Sequence, residues 1–185
     1  MAPMTTVVVI VGIIVIAAAI FLALRMRTQK LRSRFGPEYD RVVQARGSTL
    51  SAEKELENRA KRVENFKIRP LAHTELDQFI KEWGATQQQF VDDPRAARAA
   101  ADSLVHNVMK ARGYPTGGEF DQRAADLSVD HPRVVEHYRA GHEIAVSDTR
   151  RPVSTEDLRL AMKHYRALFE DLLGRRVDEF TGAIR

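Results

Sequence analysis

The sequence contains no cysteine, so its 185 residues fold without a disulfide bond. This absence is neutral for a cytoplasmic protein and weighs mildly against a secreted one, because small secreted domains commonly depend on disulfides. Strand-like alternation of apolar and polar residues between turn residues is also absent, which argues against a β-sheet protein. The first 24 residues lack charge of either sign.

This uncharged part contains one long apolar run, VVVIVGIIVIAAAIFLAL over residues 7–24. As a helix rising about 1.5 Å per residue it would be roughly 27 Å long, close to the ~30 Å hydrocarbon core of a bilayer. A cleaved signal peptide would have basic residues before a shorter apolar core, and small residues at its cleavage site. Here no basic residue precedes the run, and Arg25-Met26-Arg27 follows it. We therefore predict a retained transmembrane helix, preceded by a short extracytoplasmic N-terminus at residues 1–6.

The first basic side chains form a cluster, the basic collar, directly after this run: Arg25, Arg27, Lys30, Arg32 and Arg34. The positive-inside rule places the chain after the collar in the cytoplasm, with an exported domain as the alternative. Without the collar, 24 basic residues face 25 acidic ones, and residues 35–185 have a net charge of −1. Basic residues attract anionic lipid headgroups by about 1 kcal/mol each near the surface. We therefore expect the collar to contact lipid, and no nucleic-acid binding, because the near-neutral remainder lacks a basic footprint.

Helical patterns continue after the membrane run. Residues 25–70 are interpreted as the collar and a charged helical spacer, with a break at Phe35-Gly36-Pro37 and a short helix that Gly47 ends. The densely charged run from Ala52 to Phe66 has a narrow apolar stripe. It is interpreted as a solvated helix, with a two-stranded coiled coil as the alternative.

Residues 71–174 carry four principal amphipathic helices, which favour a small helical bundle. The predicted fold is therefore all-α: one transmembrane helix, a charged helical spacer, a bundle of about four main helices, and a C-terminal tail at residues 175–185. The predicted helix starts are Thr74, Asp93-Pro94, Asp130-His131-Pro132, and Ser154 with Asp157.

No segment carries a recognised catalytic or cofactor motif. His137 and His142 are five residues apart, roughly 140° out of register on a helix, so they do not form a metal-binding pair. We expect no metal site and no cofactor. Asp and His are densest in residues 121–142, where the catalytic candidates are Asp126, Asp130, His131 and His137.

Asp126, Asp130 and His131 could form an acid/base set, with His137, His142 or Arg123 nearby. The competing interpretation is structural. In it, Asp130 or His131 caps the helix that Pro132 begins, and Arg123 pairs with a carboxylate.

Several sequence blocks resemble a family of uncharacterised bacterial proteins that are membrane-anchored and sometimes labelled secreted. The blocks are RFGPEYDR at residues 34–41, IRPL at 68–71, FVDDP at 90–94 and DQRAADLSVDHP at 121–132. The resemblance covers residues 25–185 and implies a membrane anchor and a helical domain. The family carries no assigned activity, so it implies no catalytic residues for this chain.

These observations favour a non-enzymatic, membrane-tethered helical module at the cytoplasmic face of a bacterial inner membrane. Such a module would bind another protein or associate with itself. The alternative is an enzyme that uses the Asp and His residues of the segment 121–142.

Overall fold

The computed structural model describes the backbone of residues 2–174 and the side chains of residues 8–174. Within that range the chain forms eight helices and no strand, which confirms the predicted all-α fold. The chain divides into two compact units, Met1–Glu57 (unit 1) and Asn58–Arg185 (unit 2). The predicted C-terminal tail, residues 175–185, lies outside the described residues.

Helix α1 spans Ala2–Phe35 and is long and apolar enough to cross a membrane. Its segment Val8–Phe35 includes an 18-residue window with a mean hydropathy of 2.9, and none of that window is buried. Between Val8 and Leu24, twelve large apolar side chains are 51–67% exposed. The part of the chain that the structure describes therefore covers very little of this surface.

The break predicted after the collar is present. Helix α1 ends at Phe35, and Gly36 turns the chain with a positive φ of 49°. Helix α2, Pro37–Arg46, then begins on a proline, whose missing N–H costs nothing in the first turn. Gly47 ends it, as predicted. The structure shows Gly47 in the left-handed conformation, with its N–H donated to the Val43 carbonyl.

Helix α3 spans Thr49–Glu64, and the division between the units falls inside it. In its first half Ala52, Glu53 and Leu56 are buried, so the expectation of a solvated helix is wrong for this face. Among residues 8–57, the other buried apolar residues are Leu31, Phe35, Tyr39 and Val42. The collar and the predicted spacer therefore include a packed unit.

Unit 2 contains the end of α3 and five further helices, which are α4 (His73–Asp92), α5 (Pro94–Arg112), α6 (Phe120–Asp130), α7 (Val135–Arg150) and α8 (Thr155–Leu173). Helices α4 and α5 pack together, α5 packs on α8, and α8 packs on α7. The shorter α6 lies against α7. The four long helices α4, α5, α7 and α8 are the four main helices that the sequence predicts.

Two of the predicted helix starts are confirmed. The Asp93 carboxylate accepts a hydrogen bond from the Ala96 N–H at 3.0 Å, one residue before the proline that begins α5. Ser154 and Asp157 form a reciprocal capping box at the start of α8, with bonds of 3.1 and 3.0 Å. Side-chain caps of this kind stabilise a helix by about 1 kcal/mol each.

Two other predicted starts are wrong. Helix α4 begins at His73, one residue before Thr74, and its N-cap residue is Ala72, whose N–H donates to Glu75 at 2.8 Å. Helix α7 begins at Val135, because residues 132–134 form a turn. At the start of α4, Thr74 and Glu75 are both possible hydrogen-bond acceptors, and the longer side chain of Glu75 makes the bond.

Gly113 is a point of close backbone approach. It ends α5 with a φ of 93°, and a Cβ added there would lie 2.3 Å from the Lys67 carbonyl oxygen. The neighbouring Arg69 N–H donates to the Arg112 carbonyl at 2.9 Å. The extended segment before α4 is thus attached to the end of α5, which requires glycine at this position.

Candidate functional site

The first candidate site is the basic collar, part of which is held by carboxylates of unit 1. Arg27 donates two hydrogen bonds to Glu57, at 2.6 and 2.8 Å, and lies 3.8 Å from Glu53. Thr28 donates to Glu53 at 2.6 Å. The Arg27 guanidinium is therefore engaged within the chain, in the paired geometry that arginine and carboxylate favour.

Tyr39 contacts the same carboxylate from α2. Its hydroxyl donates to Glu53 at 3.1 Å, and the Arg32 guanidinium lies 5.1 Å from the centre of its ring. Burial, and then Glu53, raise the pKa of the Tyr39 hydroxyl. Arg32 also lies 3.7 Å from Asp40. Glu53 thus connects α1, α2 and α3 within unit 1.

The other three cations of the collar are Arg25, Lys30 and Arg34, and two of them are exposed beside the apolar run. Arg34 lies 6.0 Å from the centre of the Phe35 ring. Arg25 and Lys30 are exposed, and neither has an ion pair among residues 8–174. At 1.5 Å per residue, Arg25 lies directly beyond Leu24 and Lys30 roughly 9 Å beyond it, within reach of headgroups when its side chain extends back. Lipid contact by the five collar residues stays a prediction, which Arg25 and Lys30 are best placed to fulfil.

The second candidate site is the segment 121–142, in which Asp126 is held by two polar side chains. Asp126 is 4% exposed and accepts hydrogen bonds from Arg62 Nε at 2.6 Å and Gln122 at 3.1 Å. Arg62 lies in the last turn of α3, and Arg59, one turn earlier, donates to Ser128 at 3.3 Å. These bonds attach the end of α3 to α6.

Asp130 and His131 face different partners. The Tyr114 hydroxyl donates to Asp130 at 2.8 Å, and burial, followed by Asp130, raises the pKa of that hydroxyl strongly. His131 Nδ1 pairs with Asp171 of α8. His131 Nε2 is buried and has no hydrogen-bond partner in the described part of the chain. Each side chain thus joins the end of α6 to another part of unit 2.

His137 faces another histidine. Its Nδ1 lies 3.0 Å from Nδ1 of His164, so one ring donates the proton that the other accepts. Burial, and then His137, lower the pKa of His164. The pair joins α7 to α8 and is half-buried.

His142 and Arg123 lie at the contact between α6 and α7. The His142 ring stacks on Phe120 with 3.6 Å between ring centres, and burial lowers the pKa of His142. Arg123 donates to the Gly118 carbonyl and lies 3.5 Å from the Tyr138 hydroxyl. Arg123 therefore bonds to a carbonyl and a hydroxyl, where the sequence suggested a carboxylate partner.

The four catalytic candidates thus each have a separate partner. Asp126 is held by Arg62, Asp130 by Tyr114, His131 by Asp171, and His137 by His164. Their catalytic role stays a prediction. Within the described range, no three His, Cys, Asp or Glu side chains are grouped so that they could hold a metal ion.

Sequence reasoning missed a polar group in which Asp102 of α5 interacts with the buried Tyr138 of α7 and Tyr165 of α8. Burial and the Asp102 carboxylate raise the pKa of Tyr165, and burial also raises that of Tyr138. The Tyr165 ring lies against Gly141, where an added Cβ would be 3.2 Å from the ring. An isolated glycine inside a helical pattern is the signal that points to such a close approach.

Comparison with protein-family models, curated proteins and solved structures returned no match. Function is therefore inferred from the residues of this chain.

Proposed function

We propose that this protein is a membrane-tethered, non-enzymatic helical interaction module at the cytoplasmic face of a bacterial inner membrane. The observation that carries the proposal is the exposed apolar surface of α1. A helix that is apolar on every side belongs in a protein core or in a membrane, and no part of this window is buried.

The size of that surface supports a lipid environment. Burying a large apolar side chain is worth roughly 1.5–3 kcal/mol, so transferring twelve half-exposed ones from water to lipid gains on the order of 10 kcal/mol or more. The total stability of a domain is only about 5–15 kcal/mol. Leaving this helix in water would therefore be as costly as the whole fold is stable.

The far end of the same helix supports an anchor that is retained. Leu31 and Phe35 of α1 are buried, and Thr28 is bonded to Glu53 of α3. A signal peptide is removed, whereas this helix continues without interruption into a packed unit. Cleavage after the apolar run would cut α1 in two and release its packed end from the membrane-spanning part.

The collar supports the orientation. All five of its cations follow the apolar run and none precedes it, so the positive-inside rule favours a cytoplasmic location for the rest of the chain. Ion pairing of Arg27 inside unit 1 leaves this inference intact, because Arg25 and Lys30 are exposed beside the membrane run.

The orientation is tested with two reporters fused in turn after Arg185. Green fluorescent protein should fluoresce there, and alkaline phosphatase, which needs an oxidising compartment to fold, should be inactive. Active phosphatase with a dark fluorescent protein would place the domain outside. A chain with three basic residues added before Val7 and the collar changed to glutamine serves as the inverted control.

The interaction role is tested by crosslinking in native membranes, followed by mass spectrometry. Crosslinks from exposed lysines of unit 2 to one recurring protein, or to a second copy, are expected. A chain that yields only internal crosslinks at native abundance would contradict an interaction module.

A further inference from the structure

A groove of about 190 Å³ lies between α4 and α8 in unit 2. Its apolar lining consists of Trp83, Phe90 and Met162. Trp83 is buried and stacks on Phe169 with 4.8 Å between ring centres, whereas Phe90 is half-buried. The groove therefore has a buried aromatic floor at Trp83 and an apolar edge at Phe90 that is partly exposed to water.

The polar lining of the groove is basic. Arg159, Lys163 and Arg166 line it along α8, Gln87 lines it along α4, and none of the residues that line it is acidic. Arg159 is paired with Glu156 and Arg166 with Glu170. Lys163 is exposed and has no ion pair among residues 8–174. The Arg159–Glu156 pair is exposed and is worth at most about 1 kcal/mol, so Arg159 can exchange its partner. The Arg166–Glu170 pair is half-buried and is held more firmly.

The volume argues against a cofactor or a small metabolite. Small-molecule sites enclose roughly 300–1,000 Å³, and this groove is smaller and open. It has room for one or two bulky side chains. Amphipathic segments bind in such inter-helical grooves by inserting apolar side chains between two helices.

We propose that this groove binds a segment of another protein in which a bulky apolar side chain is flanked by carboxylates. The apolar side chain would lie between Trp83, Phe90 and Met162. The carboxylates would pair with Lys163 first, and then with Arg159. This proposal rests on the interaction role proposed above and identifies the surface and the partner class.

The test is a selection from a phage-displayed library of random 12-residue peptides, on the full chain in lipid nanodiscs. Peptides that combine an aromatic or large aliphatic residue with at least two acidic residues should be enriched over selection on empty nanodiscs. Binding of the enriched peptides should change the fluorescence of Trp83, the only tryptophan of the chain. Absence of enrichment, or enrichment of basic peptides, overturns the proposal.

A charge-reversed variant locates the binding surface. Gln87→Glu with Lys163→Glu changes two exposed groove residues and should weaken peptide binding at least tenfold. Lys81→Glu, on a different face of α4, is the matched control and should bind as the unchanged chain does. Equal binding by all three chains would place the peptides elsewhere and contradict the proposal.

Two other occupants would give different results. If a second copy fills the groove, the Trp83 fluorescence changes with protein concentration, and the variant with Gln87→Glu and Lys163→Glu removes that dependence. If the residues after Gly174 fill it, truncation there changes the fluorescence at every concentration. Either result overturns the proposal. Membrane extraction tests the tether separately, so a failure of the groove and a failure of the anchor are distinguishable.

Discussion

Helices α1 and α8 differ in where their apolar residues lie, because those of α8 are buried and those of α1 are largely exposed. In α8 the apolar residues recur at spacings of three and four, and every member of the stripe is buried: Leu158, Ala161, Tyr165, Leu168 and Leu172. In α1 the residues 8–24 are apolar on every side and remain exposed. Within residues 8–174, other helices cover the apolar stripe of α8, and no part of the apolar window of α1 is buried. We infer that lipid is the partner of α1.

The largest effect should follow from charge placed in the middle of α1. Val15→Lys with Ile16→Lys should remove the chain from the membrane fraction, because each charge costs about 2.5–3.5 kcal/mol at a helix centre in lipid. Unfolding of unit 2, followed by Trp83 fluorescence, should not change. Leu50→Lys with Leu160→Lys, at two exposed sites outside the apolar run, is the control and should leave the chain in the membrane. Membrane retention of the α1 variant would contradict the inference that lipid covers the apolar surface of α1.

Removing side-chain volume should lower the free energy of unfolding when it is done in α8 and should leave it unchanged when it is done in the apolar run of α1. Leu168→Ala removes a fully buried side chain and should lower the free energy of unfolding by about 2–5 kcal/mol. Leu22→Ala makes the same change on the exposed surface of α1. Chemical denaturation of the chain in nanodiscs should show the loss for the first variant only, and equal losses would refute the distinction.

A smaller loss is expected from Gly113→Ala at the end of α5. The new Cβ would meet the Lys67 carbonyl at 2.3 Å with a φ of 93°, so the backbone must shift, at a cost of about 1–3 kcal/mol. Gly117→Ala is the matched control, because a Cβ there meets nothing within 4 Å. A denaturation midpoint unchanged by Gly113→Ala would show that this approach does not constrain the fold.

The smallest effect concerns pH. The pKa of His164 lies below the value of about 6.5 expected for an unfolded histidine. Its contribution to stability is therefore present above pH 6.5 and is lost as the pH falls through the lower, folded pKa. The denaturation midpoint should fall between pH 7.5 and 5.5, and His164→Asn should reduce that fall. An equal reduction by His73→Asn, at an exposed site, would contradict a specific role for the His137–His164 pair.

Much of the fold is predictable from local sequence. The break at Gly36, the stop at Gly47, and the caps at Asp93 and Ser154 depend on residues a few positions apart, and all four are present. The burial of α3 was not predictable in the same way. Its apolar stripe is narrow, and the hydrogen-bond partners of the buried Glu53 are Thr28 and Tyr39, which lie 25 and 14 residues away in the chain.

The candidate sites depend on distant partners as well. Proximity in sequence placed Asp126, Asp130 and His131 in one group, but their partners are Arg62, Tyr114 and Asp171. No local pattern specifies these pairs, because each depends on how two helices pack. The groove between α4 and α8 was missed for the same reason, since its two sides are about 70 residues apart in the chain.

Whether α1 is a retained membrane anchor is measured by alkaline carbonate extraction of native membranes, with an intact mass measurement of the extracted chain. We expect the full-length chain to stay in the membrane pellet with the apolar run of residues 7–24 still attached. A chain released into the supernatant, or one that begins after Leu24, would contradict it.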